Sequence, residues 1–409
     1  MNVFFCVAIH GDAFMQKKSQ TKNQHYVPQF YLRSFSEDGH GIRTFNLSSG
    51  KVIPHAKLKY QCSKDYFYGE DGTLEKALGG METAFSLTFK KCLELNPKER
   101  ISNEDFYLLS MFVAVQYMRT KKMIDVVEQF GKETYGTLAK LCIEINKLNV
   151  PLDQVKIETD KDFPRYVLRF GILQQPLLMD LECVVLENET REDFVLSDNP
   201  IVFQNPLLEE HVKYNCNGMA SRGLQIYFPL SPRRVICFYD YDAYKFAGKN
   251  VIGLRSPKDI EQLNRLQFMN AEKNIYLKDD NVACEKHSLF RTTHIDAQLD
   301  PVGKYENPLK PNNYLFRISP SSINIGFKLS IFSIKPTMLR EAYQGHRDLR
   351  KWVRNEKTEF LVREFAQAVD NGLCEDADYA KFREQKVNEI LNSIKRSKWM
   401  NKLCLNKKT

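Results

Sequence analysis

Phe106-Tyr107-Leu108-Leu109-Ser110-Met111-Phe112-Val113-Ala114-Val115-Gln116-Tyr117-Met118 is apolar on nearly every face of a helix. A helix that is hydrophobic all round is a buried one, so this stretch predicts the centre of a helical body. Ser102 is a natural cap for it, with Glu104 and Asp105 in the first turn, where the helix dipole favours negative charge. Gln116 and Arg119 fall three residues apart on one side, at the place where the helix stops being wholly apolar. A buried amide and guanidinium need partners, because an unsatisfied group costs about 1–3 kcal/mol. They wall a polar pocket or they form an internal tie to Glu82; both readings stand.

Outward from this helix, Leu74 to Leu93 carries apolar residues at helical spacing around Glu75 and Glu82. Ile124 to Lys147 continues as helix with interruptions at Gly131 and Gly136, and Pro151 to Pro164 links it to a further helix over Arg165 to Leu173. The character then changes to strand. Leu181 to Leu186 and Asp193 to Leu196 read as a hairpin separated by the polar Glu187 to Glu192. Ile226 to Phe228 and Arg234 to Tyr239 form another pair around Pro229-Leu230-Ser231-Pro232. Gly39 to Val52 reads as an edge hairpin turning at Ser48-Ser49-Gly50, and Ser256-Pro257 opens a helix over Ile260 to Ala271. The fold class expected is α+β, a mainly helical body with a small antiparallel sheet of about four strands and a C-terminal helical extension.

Chemistry is densest in Gln24-His25-Tyr26-Val27-Pro28-Gln29-Phe30-Tyr31-Leu32-Arg33. Pro28 suits the first position of a helix, since its missing N–H would be unpaired there anyway. His25 then sits just ahead of the helix and Arg33 emerges about a turn and a half later. The pair brackets an anion at the helix N-terminus, or His25 is a cap or a satisfied core residue and Arg33 pairs with an internal carboxylate.

The run from His25 to Phe35 resembles the opening signature of a large, mostly bacterial domain family of unknown function, with its His, Val-Pro, Tyr-Leu-Arg and Phe pattern. Met81-Glu82, Gln116 to Thr120, Ser197-Asp198-Asn199-Pro200, Pro229-Leu230-Ser231-Pro232, and Asn264 with Ala271 fit the same family. The resemblance covers roughly residues 22 to 280, with a specific first motif and individually weak later ones. It implies a shared fold and a shared site and supplies no reaction.

At 409 residues the chain exceeds what one core usually serves. Residues 1–21 read as an extended or loose tail, 22–281 as the α+β core domain, 282–336 as an irregular, proline-rich connection and 337–409 as the helical extension. Ten cysteines are scattered singly with no Cys-x-x-Cys pair, which speaks against a zinc ribbon, a redox dithiol or a disulfide scaffold and fits a reducing cytoplasm. Met1 to Ile9 is apolar but lacks a basic leader and is too short to span a bilayer, and no other run is long enough, so no membrane insertion is expected. Residues 381–409 carry nine basic side chains against two acidic ones, almost the whole of the net charge of +8. Such a tail is a contact for nucleic acid or a nucleotide or for an anionic membrane surface, or it is a solvated helix end.

Walker, Gly-x-Gly-x-x-Gly, His-Glu-x-x-His and Gly-x-Ser-x-Gly motifs are all missing, so the familiar chemistries they serve have no sequence support. His25, Arg33 and Asp198 remain as a dispersed catalytic set, the histidine exchanging a proton, the arginine stabilising phosphate charge, and Asp198 orienting the histidine or helping to hold a divalent metal. Asp198 ends a strand before a tight turn, a position that suits chemistry as well as an ordinary Asx turn. Gln24, Tyr31, Gln116, Arg119 and Asn264 are the expected substrate-binding residues, with Glu82 in support. The expected activity is that of an enzyme acting on a phosphate-containing substrate, nucleic acid included; the alternative is a non-catalytic protein that binds an anionic ligand, and a third reading gives the polar set a purely structural role.

Overall fold

In a computed structural model the chain folds as α+β, described here for residues 22–148, 151, 155–159, 163–209, 217–246, 250–294, 302–306, 314–318, 325–344 and 353–354. Elements in chain order are β1 (Asn23–His25), α1 (Gln29–Arg33), β2 (Gly41–Asn46), β3 (Lys51–Lys57), β4 (Ser63–Asp65), α2 (Thr73–Glu94), α3 (Asn103–Arg119), α4 (Lys121–Ile145) and α5 (Phe163–Gln174). There follow β5 (Glu182–Asn188), β6 (Leu196–Ser197), β7 (Val202–Gln204), β8 (Gln225–Ser231), β9 (Arg234–Tyr239), β10 (Tyr244–Phe246), β11 (Val251–Leu254), α6 (Pro257–Asn270) and β12 (Asn274–Leu277). The last are α7 (Cys284–His294), β13 (Val302–Glu306), β14 (Tyr314–Ile318), β15 (Phe332–Ile334) and α8 (Pro336–Gln344). The loose tail expected at 1–21, the basic segment 381–409 and most of the helical extension lie outside the described residues.

The sheet content is larger than about four strands. A five-stranded sheet has the order β11-β5-β9-β8-β7, antiparallel except for the parallel β11–β5 pair, and a four-stranded antiparallel sheet has the order β3-β2-β12-β6. Three two-stranded pairs, β1–β4, β10–β15 and β13–β14, complete the described strands. The five-stranded sheet is covered on both faces, and its residues alternate between two cores. Val185, Ile226, Phe228, Ile236 and Phe238 face the cluster built on α2, α3 and α5. Val184, Leu186, Tyr227, Val235, Cys237 and Tyr239 face the cluster that holds Ile260, Leu263 and Leu266 of α6. Burial on both sides explains why these strands read as continuous apolar runs.

The expected hairpin of 181–186 with 193–196 does not form. β5 pairs with β9 and β11, whereas β6 pairs with β12, so the polar stretch between them carries the chain from one sheet to the other. The β8–β9 hairpin and the β2–β3 hairpin at the sheet edge form as read, with Gly50 in the left-handed region at φ 65°. α3 begins as expected, the Ser102 hydroxyl accepting the Asp105 N–H at 3.0 Å. α4 runs unbroken through Gly131 and Gly136; the break falls instead at extended Thr120, whose hydroxyl caps α4 by accepting the Met123 N–H. Helix propensity alone costs about 1 kcal/mol per glycine, which packing overrides. The stretch read as irregular contains α7, packed on α6 through Arg291 and the stacked His287 and Phe268 rings.

Candidate functional site

β1 is held on one side by β4, with Gln24 opposite Lys64 and His25 opposite Ser63. Period-two alternation buries Gln24 and leaves the flanking Asn23 and His25 partly exposed. Both ends of the Gln24 amide are spent on backbone: it donates to the Gly69 carbonyl at 3.0 Å and accepts the Tyr68 N–H at 2.6 Å. Its expected contact with a substrate is thus replaced by a tie between β1 and the 66–69 turn. α1 spans only five residues, and Pro28 precedes it as the cap. The Pro28 carbonyl takes the Tyr31 and Leu32 N–H groups, so so short a helix offers little dipole for an anion.

α1 docks through Tyr31, which is fully buried against Phe89 and Phe112 at ring-centroid distances of 5.2 and 5.5 Å. Its hydroxyl is buried with no partner, and the residue belongs to the core rather than to a binding wall. Polar residues of α1 make a short row on the other side. The Arg33 guanidinium donates to Gln29 Oε1 at 3.0 Å, and the amide nitrogen of Gln29 lies 3.3 Å from His25 Nε2. That row sets the tautomer. An amide nitrogen only donates, so Nε2 accepts, which in a neutral imidazole leaves the hydrogen on Nδ1. Burial, with the nearby Arg119 guanidinium, pushes the His25 pKa down to about 4, so its imidazole is neutral at pH 7.

Arg119 lies beneath this row. Its side chain is 2% exposed; Nη2 donates to the His25 carbonyl at 2.6 Å and to Glu82 Oε1 at 2.8 Å, while Nε donates to the Tyr68 hydroxyl at 3.1 Å. Of the two roles open to it, the structure contains the tie to Glu82. Glu75, two turns earlier on α2, also feels this charge: burial and Glu82 push its carboxyl up while Arg119 opposes them. Gln116 donates to the Tyr26 carbonyl at 2.9 Å, and its buried Oε1 has no partner. His25, Arg33, Gln116, Arg119 and Glu82 therefore gather in one place, where β1, α1, α2 and α3 meet.

Asp198 is spent differently. One carboxylate oxygen accepts the Glu272 N–H at 2.7 Å, and the other accepts those of Lys273 and Asn274 at 2.7 and 3.0 Å. Burial pushes its pKa up and the three backbone donors oppose this. It fastens the turn between α6 and β12 and makes no hydrogen bond to His25. Tyr26, next to His25 in the chain, has its hydroxyl pushed up by burial and by the nearby Cys62 and Asp198 groups. Asn264 stitches α6 to the strand switch, accepting the Val195 N–H at 3.1 Å and donating to Glu192 Oε1 and the Asp193 carbonyl. Neither it nor Asp198 reaches the His25 row. Among the described residues no group of three or more His, Cys, Asp or Glu side chains is arranged to hold a metal ion, and no helix is long and apolar enough to cross a membrane.

Gln29, Tyr68 and Glu75 were not singled out as site residues in the sequence. Gln29 had a readable signal, lying four residues from both His25 and Arg33. Glu75 had one as well, seven residues before Glu82 on the same helical face. Tyr68 meets Arg119 only through the tertiary fold.

Fold and site together define an α+β domain with a partly exposed histidine–arginine row over a buried ion pair. The chain belongs to the family described as Protein of unknown function (DUF4238), which matches residues 23–281. That span takes in residues 25–35, the α3 helix and the Asp198 turn. No curated protein and no solved structure matches the chain.

Proposed function

We propose that the domain binds and turns over a phosphate-containing substrate, nucleic acid or a nucleotide included, at His25 and Arg33. The observation that carries this reading is the neutral, partly exposed imidazole set beside an exposed guanidinium through Gln29. Arg33 neutralises phosphate charge, and its engagement there frees the Gln29 amide from it. Once the Gln29 N–H turns away from it, His25 Nε2 takes the proton of an attacking water as that water's oxygen bonds to phosphorus and the ester P–O bond breaks, the departing oxygen taking its proton from solvent. A base with pKa about 4 is weak, but the substrate's own negative charge offsets the two arginines and raises it toward the working pH. Arg119 acts as a positioning residue through the His25 carbonyl. Residues 381–409 add basic charge for a nucleic-acid substrate.

The saturation of Asp198 by backbone donors favours a second reading, in which the same residues bind an anionic ligand without turnover, because the aspartate is not free to orient the histidine. One experiment separates the two. Full-length protein is incubated with nucleotides and with short RNA and DNA, with and without divalent metal, and both binding and cleavage are followed. Cleavage lost in His25→Ala, with affinity reduced in Arg33→Ala, supports the first reading. Binding without cleavage, weakened by Arg33→Ala, supports the second; neither binding nor cleavage across the panel rejects both.

A further inference from the structure

Arg354 lies beyond the family-matched region, yet its side chain is 5% exposed and is inserted into that region. Nε faces Asp180 with contacts of 3.0 and 2.9 Å to the two carboxylate oxygens. Nη1 donates to the Ser221 carbonyl at 2.7 Å, and Nη2 to the carbonyls of Leu177 and Met219 at 2.5 and 2.8 Å. The backbone is recognised as well: the Arg354 N–H donates to the Ala220 carbonyl at 2.7 Å, and Val353 forms an antiparallel bridge with Ser221. One carboxylate and three carbonyls around a planar cation match the fixed fork of a guanidinium, and a lysine ammonium, a single point of charge, does not reach them all.

We propose that the family domain carries an arginine-recognition socket, formed by Asp180 with the carbonyls of Leu177, Met219 and Ser221, and that its occupant in this chain is Arg354, the Val353-Arg354 pair acting as a fastening strap. The socket is acceptors only, so without an arginine it presents a negatively charged hollow. Asp240 adds to that charge from nearby, and burial of Asp180 makes an unpaired carboxylate there unfavourable. Recognition combines a single isolated antiparallel bridge and one backbone hydrogen bond with a pocket for one side chain, a minimal form of the mode by which extended peptides dock on a protein. An emptied socket therefore accepts an arginine-bearing extended peptide supplied in trans.

The test uses the full chain with Arg354→Ala and a fluorescent peptide of residues 349–358, followed by anisotropy. The peptide is expected to bind the variant at least about tenfold more tightly than wild type, whose socket is filled. The same peptide with alanine at the position of Arg354 is expected to bind neither, although it keeps Arg350. Should Arg354→Ala not fold, Arg354→Lys retains a cation and loses the fork, and the same difference from wild type is expected. Equal binding to wild type and variant, equal binding of the alanine peptide, or no binding to the folded variant overturns the proposal.

Discussion

Replacing Arg119 by alanine removes the group that joins α3, α2 and β1, and the size of the loss follows from its surroundings. Three partners are left at once: the Glu82 carboxylate, the His25 carbonyl and the Tyr68 hydroxyl. Breaking one side of a buried pair costs about 3–5 kcal/mol. Glu82 is 26% exposed and regains water, which moves the expectation to the lower part of that range. The carbonyl and the hydroxyl add a share of the roughly 1–3 kcal/mol typical of a stranded polar group. We expect a loss of about 3–4 kcal/mol for Arg119→Ala, against roughly 1–2 kcal/mol for an arginine that only lined a pocket and lost its stem packing. The assay is denaturant unfolding of wild type, Arg119→Ala, Glu82→Ala and the double variant, with a coupling between the two sites of about 1–2 kcal/mol. A loss below about 1 kcal/mol for Arg119→Ala, with coupling near zero, refutes the tie and returns Arg119 to a binding role.

Four other outcomes are expected. NMR titration of the His25 ring should give a midpoint near 4, moving upward when inorganic phosphate is added; a midpoint near 6.5 would remove the neutral base. Because the folded protein binds this proton less readily than the unfolded chain, His25 contributes stability present above pH 6.5 and lost as pH falls toward 4, so His25→Gln should flatten the acid limb of the stability profile. Asp198→Asn, which cannot accept all three backbone N–H groups, should cost about 2–3 kcal/mol in urea unfolding, and an unchanged midpoint would contradict its fastening role. Deleting residues 381–409 should weaken nucleic-acid binding and reduce its salt dependence, and identical salt slopes would detach the tail from that function.

The sequence by itself determined whatever depends on a local pattern. An all-apolar stretch fixed α3 as a buried helix, and two short continuous apolar runs fixed β8 and β9 as neighbours joined by a short turn. The spacing of His25 and Arg33 about Pro28 set one polar group just ahead of α1 and another at its end. Partner choice over long range was not legible, because pairing depends on what the rest of the chain leaves uncovered. β5 and β6 looked like a hairpin, yet β6 gains more by completing the sheet of β2 and β12 beside the Asp198 staple. The same holds for single side chains. Arg119 was open to a pocket or a tie until α2 brought Glu82 to 2.8 Å and β1 presented its carbonyl. Asp198 looked available at a strand end, and only the close approach of the 272–274 backbone filled its carboxylate. Tertiary packing decides these cases because a buried charge is stable only with partners, and those partners come from elements dozens of residues away.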